Sequence, residues 1–584
     1  MKRMLLLFSL LVVFQMSSVF AQTLSDYVLE VRGDTLVVKD ELDMGAPDAL
    51  NLILAADTVD VPAGRVYMLH DYGYYSIVNA PTSSTTRRVI IMGENNQLLK
   101  TRTDDAVPPI VCGAVAEGVN STGGLNSGYD LVVRNVNISA GNSSGNMGWT
   151  TLGSSGGARI ELDNCIFEHT RWVQINPGAG SRMFFKNCYF VNLSGYACRR
   201  NGGVIDFFSS QDTISVENST HVMTQGLLYK ARQGYSVNRS IYNHNTFVNN
   251  SGVVFMNMGS IGNVSLTNNI FVNSNLQPYS TSLQNADGGE VDADKLPMGL
   301  VNVRNDSAFV ANGGRFYVDK NLVYWDPTFN DVVTTLNTAS VNGKADWTSQ
   351  MITMNSRSQD MFDDDANYPY LTEGTWITGV KPNFADTQDL FTTQLAALKT
   401  FITAAVDTNS TAILEDWRLI NDPAEYYTYA DWPIPIDFSY DNAELLTAGL
   451  NGFPVGDLNW FPAQYTQWLA QRDDELQYIH NVLQTGNVGV KEVAGIPENY
   501  QLEQNFPNPF NPSTVINYTI PKAGNVTLKI FNIVGQEVAT LVNGFQEAAK
   551  YQVSFNASNL SSGIYFYTIN AGNFNQTKKM MLIK

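Results

Sequence analysis

The chain has 584 residues, more than one ordinary core accommodates, so two or more domains are expected. Charged residues make up only 16% and the formal charge is −19, which argues against a nucleic-acid partner. With 45 glycines and abundant Asn, Ser and Thr, the composition suits a turn-rich extracellular β-protein better than a helical cytosolic enzyme.

Residues 1–21 read as a signal peptide: Lys2 and Arg3 are the charged start, Met4 to Phe14 the apolar run, and Val19-Phe20-Ala21 a small-residue cleavage site. That run is too short to span a bilayer, and no later segment is long and apolar enough to be a membrane helix. The protein is therefore expected to leave the cytoplasm. Residues 22–113 read as an N-terminal cap and first coils. Within them Val61-Pro62-Ala63-Gly64-Arg65-Val66-Tyr67-Met68-Leu69, Tyr74-Tyr75-Ser76-Ile77-Val78 and Arg88-Val89-Ile90-Ile91-Met92-Gly93 resemble the opening coils of bacterial polysaccharide-lyase β-helices. A solenoid end needs a cap because an open coil offers unpaired strand edges to other chains.

Residues 114–325 repeat one short pattern: an apolar strand, an Asn-bearing corner and an aromatic just past it. The copies are Ile160 to Phe167, Met183 to Phe190, Ser240 to Phe247 and Val264 to Phe271, with weaker ones at Val132 to Ile138 and Ile214 to His221. They step by 29, 23, 31, 26 and 24 residues, a solenoid period. Without intervening amphipathic helices or Asn-Gly hairpins, the expected fold is mainly β, a right-handed parallel β-helix. Its stacked floors lie about 4.8 Å apart, so inward Asn side chains can hydrogen-bond up the stack. Cys165 and Cys188 hold equivalent places in neighbouring coils and read as stacked buried thiols. Cys112, Cys165, Cys188 and Cys198 form no metal pattern, and an oxidising compartment permits a disulfide without demanding one.

Another coil, Arg315 to Val323, follows the last copy by 52 residues, so one coil was missed or a loop is inserted. The intervening segment carries Asp287, Glu290, Asp292 and Asp294, a candidate calcium loop although its spacing is not that of an EF-hand; a solvated acidic loop is the plainer reading. Residues 326–490 read as late coils with inserted helices and a C-terminal cap. Helical spacing marks Gln388 to Val406 and, behind Pro462, Ala463 to Leu483. Pro454-Val455-Gly456-Asp457-Leu458-Asn459-Trp460 resembles the closing segment of secreted Bacteroidota β-helix proteins.

After a linker at 491–499 the composition shifts: residues 496–584 hold six lysines and four glutamates. Val515 to Ile520, Val526 to Phe531 and Gly563 to Ile569 are strand-like and separated by turn residues, as in a small antiparallel sandwich. Asn505-Phe506-Pro507-Asn508-Pro509-Phe510-Asn511-Pro512-Ser513-Thr514, Ile530 to Val538 with Gly535, Leu560 to Tyr567 with Gly563 and Tyr565, and Lys578 to Lys584 with Lys579 resemble the type A sorting domain of the type IX secretion system. That resemblance covers 500–584 and implies an immunoglobulin-like sandwich directing passage through the periplasm and across the outer membrane. In the family it is usually cleaved, with the cargo released or attached to the surface. The type IX machinery is then a partner.

For chemistry the scarce cations are informative. Arg171-Trp172, Arg199-Arg200, Lys230 with Arg232, and Arg239 could align on stacked coils as a basic stripe. Trp172, Tyr196, Tyr229 and Tyr235 would be sugar platforms beside it. Tyr229-Lys230-Ala231-Arg232 followed by Tyr242 to Phe247 resembles the region around the catalytic lysine of the chondroitinase B and alginate lyase family. By that resemblance Lys230 is the base, with Arg232 or Arg239 replacing an arginine the family places near Phe255 to Gly259, where none stands. Three readings stay open: a protein engaging an extracellular acidic polysaccharide, a polysaccharide lyase using Lys230, and a structural or adhesive surface solenoid. His169, His221 and His244 read as surface or ladder residues rather than metal ligands. Asp206 and Asp212 do not make a convincing hydrolase pair.

Overall fold

The computed structural model describes residues 23–78, 87–101, 106–113, 115–116, 119–120, 124–127, 130–141, 150–170, 172–193, 203–232, 235–256, 262–280, 296–303, 314–385, 393–406, 436–486, 499–546 and 549–584. The leader, Cys198 and the acidic segment with Asp287, Glu290, Asp292 and Asp294 lie outside them.

The repeated segments wind in one direction. Arg159–Asp163 pairs in parallel with Arg182–Lys186, and Gln211–Glu217, Val237–Asn243, Asn263–Thr267 and Arg315–Asp319 follow in turn. Among the described residues this first sheet has twelve strands, a second has ten and a third has six. A parallel β-helix results. Because Asn263–Thr267 pairs directly with Arg315–Asp319, the long step before the last copy is an insertion between adjacent floors.

The corner between the first and second sheets explains the repeated Asn. Its first residue is left-handed in seven successive floors: Asn135, Asn164, Asn187, Asn218, His244, Asn268 and Lys320 have φ from 47° to 58°. Asn tolerates that region better than other L residues. The second corner residue points inward and carries the ladder. Asn245 Nδ2 donates to Asn269 Oδ1 at 2.9 Å, and Asn269 Nδ2 to Asn321 Oδ1 at 2.9 Å. Cys165, Cys188 and Ser219 occupy the same place in earlier floors, and Ser219 Oγ accepts from the Cys188 amide. Cys112, Cys165 and Cys188 are buried free thiols.

Just past the corner the aromatics pile up inside the tube. Phe167, Phe190, His221, Phe247 and Phe271 are fully buried, with neighbouring centroids 4.9, 4.6, 4.4 and 4.9 Å apart. The strand spacing of about 4.8 Å holds the rings face to face, rather than any preference of the rings themselves. His221 takes an aromatic place in this stack, with Nε2 2.8 Å from the Tyr229 hydroxyl. Burial, with the Lys100 charge adding, holds its imidazole well below the ordinary value.

Two straps run along the outside of the Asn corner. From one end, the Leu99 amide donates to Asn164 Oδ1. From the other, the Leu450 amide donates to Asn268 Oδ1, that of Asp457 to Thr246 Oγ1 and that of Leu458 to Asn218 Oδ1. They meet at Lys100 and Asp457, a buried ion pair, where Thr220 also donates to Asp457 at 2.7 Å. Burial pulls the Lys100 ammonium down and pushes the Asp457 carboxyl up, each opposed by the other's charge.

Helices cover the outer faces. The expected Thr393–Ala405 and a helix the sequence reading did not name, Asn330–Ala339, pack over the second sheet through Leu398, Phe401, Ile402 and Leu336. The second helical stretch is two helices, Pro462–Leu469 and Arg472–Thr485, lying over the first sheet. There Arg472 grips Glu217 with two bonds of 2.7 Å, and Glu475 sits 3.2 Å from His244. Burial alone would raise Glu475, but the nearby His244 imidazole and hydrogen bonds from Asn243 and Trp468 bring it below the ordinary carboxylate value. Residues 499–584 form two antiparallel sheets around a separate core that includes Ile516, Tyr518, Leu528, Val553, Tyr567 and Met580.

Because His221 resists protonation when folded, its contribution is complete above about pH 6.5 and lost as pH falls below that, at about 1.4 kcal/mol per pH unit. A His221→Phe/Tyr229→Phe double variant, which leaves no phenol stranded, is expected to flatten that part of the melting-temperature profile. Asp457→Asn is expected to cost about 3–5 kcal/mol in denaturant unfolding, and the Lys100→Met/Asp457→Leu double variant much less.

Candidate functional site

With helices over the second sheet and part of the first, the third sheet is the face on which the cations named from the sequence can gather. Its strands include Val173–Asn176, Gly203–Phe207, Tyr229–Ala231 and Phe255–Met256. Alternation sets which side chains leave the tube. Ile175, Ile205, Tyr229 and Phe255 turn inward and are buried. Asp206 and Lys230 are in register one floor apart on the opposite side, and Met256 holds the next register position. The strand bearing Asp206 starts at Gly203, where an added Cβ would lie 1.7 Å from the Leu227 carbonyl oxygen, so glycine alone lets the floors close up.

Asp206 organises the cluster. Its carboxylate, 1% exposed, accepts from Arg232 Nε at 2.9 Å and Nη2 at 2.7 Å. Lys230 Nζ lies 3.9 Å away. The Arg232 guanidinium in turn lies over the ring of Phe208, 3.9 Å from its centroid. Phe208 is 40% exposed and meets half-buried Trp172 edge-on at 5.3 Å. A bidentate carboxylate fixes the guanidinium plane, and the aromatic beneath holds it flat. Trp172, Phe208 and Arg232 form the part-exposed patch that results, and Asp206 and Lys230 lie buried beneath it, Lys230 being 5% exposed.

The structure thus brings Lys230, Arg232 and Trp172 together, and shows Phe208, which sequence reasoning missed. Two expected members are elsewhere. Tyr229 is no sugar platform: its side chain is fully buried, stacked on Phe255 and 5.0 Å from the Tyr242 ring. Arg239 lies on the first sheet, in register with Thr213 and Asn263. Arg171, Tyr196, Arg199 and Arg200 fall outside the described residues. Asp206 and Asp212 sit on different sheets. Among the described residues, Asp40, Asp43 and His70 are the metal-capable grouping, but Asp40 is engaged in capping a short helix and accepting the Tyr74 amide.

In the tail the family-like motif residues occupy turns and edges. Asn508 Oδ1 accepts the Met581 amide at 2.9 Å, beside Pro509. Gly535, with φ of 81°, makes the turn after Gly524–Asn532. Gly563 opens the strand Gly563–Ala571, where the Tyr565 hydroxyl donates to the Ser561 carbonyl. The carbonyl of Lys579 accepts from Gln504.

Residues 504–584 match the family model described as a secretion system C-terminal sorting domain. This segment is an export signal. It directs the protein across the outer membrane by the type IX system, to the cell surface or the surroundings. No curated protein and no solved structure matches the chain. Among the described residues no helix is long and apolar enough to cross a membrane.

Proposed function

We propose that the protein is an exported β-helix that engages an extracellular acidic polysaccharide along its third sheet. The observation that carries this is the Trp172–Phe208–Arg232 patch with Lys230 alongside. Aromatic rings offer apolar faces to the undersides of sugar rings, and flat, pre-oriented cations suit carboxylates or sulfates. On a chain of net charge −19, one oriented guanidinium flanked by aromatic rings selects by position rather than by a diffuse positive field. Arg171, Arg199 and Arg200, outside the described residues, are proposed as further contacts to the polymer. Asp287, Glu290, Asp292 and Asp294 would let calcium bridge the protein to an acidic chain.

The lyase alternative keeps Lys230 as base. It is less supported, because a lyase needs a second cation to stabilise the charge developing on the uronate. Arg232 is committed to Asp206, Met256 holds the next register position, and Arg239 is on another sheet. A purely structural or adhesive solenoid gives no role to a cation stacked beside half-exposed aromatics.

Affinity electrophoresis through alginate, pectate or glycosaminoglycan gels, with and without calcium, tests the proposal. Retardation in at least one acidic polymer is expected, weakened about tenfold in Trp172→Ala and in Phe208→Ala, without ultraviolet absorbance from an unsaturated uronate. Retardation in none, or retardation unaffected by both substitutions, would contradict it. Absorbance that disappears in Lys230→Ala would establish the lyase instead.

A further inference from the structure

The first sheet begins with an open edge. Its outermost strand, Val28–Arg32, pairs antiparallel with Thr35–Val38, and among the described residues its other side pairs with no strand. Val31, in register with Leu36, leaves one face of it and is 63% exposed; the register shifts between Val28 and Glu30, where Leu29 is 48% exposed. Glu30 and Arg32 leave the other, joined by a 2.6 Å ion pair at its rim. A strand presenting free amides, free carbonyls and exposed apolar side chains is a template for another strand.

We propose that this edge pairs with the same strand of a second copy, antiparallel about a two-fold axis at Val31, joining two solenoids through their first coils. The charges choose that arrangement. About Val31, each Glu30 lies opposite Arg32 of the partner subunit, and the two Val31 side chains meet on the opposite face. Parallel in-register pairing would instead place Glu30 on Glu30 and Arg32 on Arg32, which cross-strand repulsion disfavours. A slip of one residue would break both ion pairs and exchange the apolar and charged faces.

The arrangement also closes on itself. Among the described residues the first sheet has this one edge of such length, and an isologous contact uses it up, so growth through this sheet stops at two. The far end of the same sheet is the three-residue strand Leu371–Glu373, which supplies no second edge of equal length. The contact is independent of the third-sheet patch and would place two such patches on one particle.

Light scattering on the exported chain as it elutes from a sizing column tests this. A mass twice that of one chain is expected for the natural sequence. Glu30→Arg and Arg32→Glu should each weaken the dimer by about tenfold or more, and the Glu30→Arg/Arg32→Glu exchange should restore it. A monomer at every concentration measured would overturn the proposal. So would a larger assembly, a dimer indifferent to the single reversals, or a double variant that stays monomeric.

Discussion

Everything in the body hangs on a two-residue corner in which the first residue is left-handed and the second turns an amide or thiol inward. The left-handed residue turns the chain from the first sheet to the second within two residues, keeping the two sheets in fixed relation where this corner recurs. The inward residue takes up backbone groups that such a tight turn strands. Asn245, Asn269 and Asn321 donate to the carbonyls of Val216, Tyr242 and Leu266 while also bonding to one another. A buried amide with every group satisfied fixes register, because a slip would strand several polar groups at once. The aromatic column beside it then packs at the strand spacing and fills the tube.

The same corner also binds the straps. Side-chain oxygens of Asn164, Asn218 and Asn268 point outward and accept from amides 65, 240 and 182 residues away in sequence. The straps, the helices over the second sheet and Arg472–Thr485 therefore shield much of the first two sheets. They leave the third sheet to carry side chains capable of recognition, and the edge at Val28–Arg32 to meet another chain. The export signal is a separate sandwich with its own core.

Much of this was legible because stacking turns structure into sequence period. The copies ending at Phe167, Phe190, Phe247 and Phe271 are the strands and corners that pair floor on floor. The tail was legible for another reason: its motif residues make turns whose geometry tolerates few substitutes, Gly535 among them. Some errors were avoidable from the residues alone. Tyr229 and Lys230 are consecutive in a strand, so they cannot face the same way. Arg239 precedes an Asn corner by the same few residues as Arg159 and Arg182, which marks it as a residue of the first sheet. What no local pattern carries is the meeting of Lys100 with Asp457, 357 residues apart, or of Phe208 with Arg232 across neighbouring floors.

The most direct measurement is amide hydrogen exchange followed residue by residue on the exported protein. If corner, ladder and straps are one cooperative unit, the amides of Leu450, Asp457 and Leu458 exchange at the rate of the strand amides of Ser215, Ile241 and Ser265. Strap amides that exchange rapidly while those strands stay protected would show that the straps merely rest on a tube stable without them.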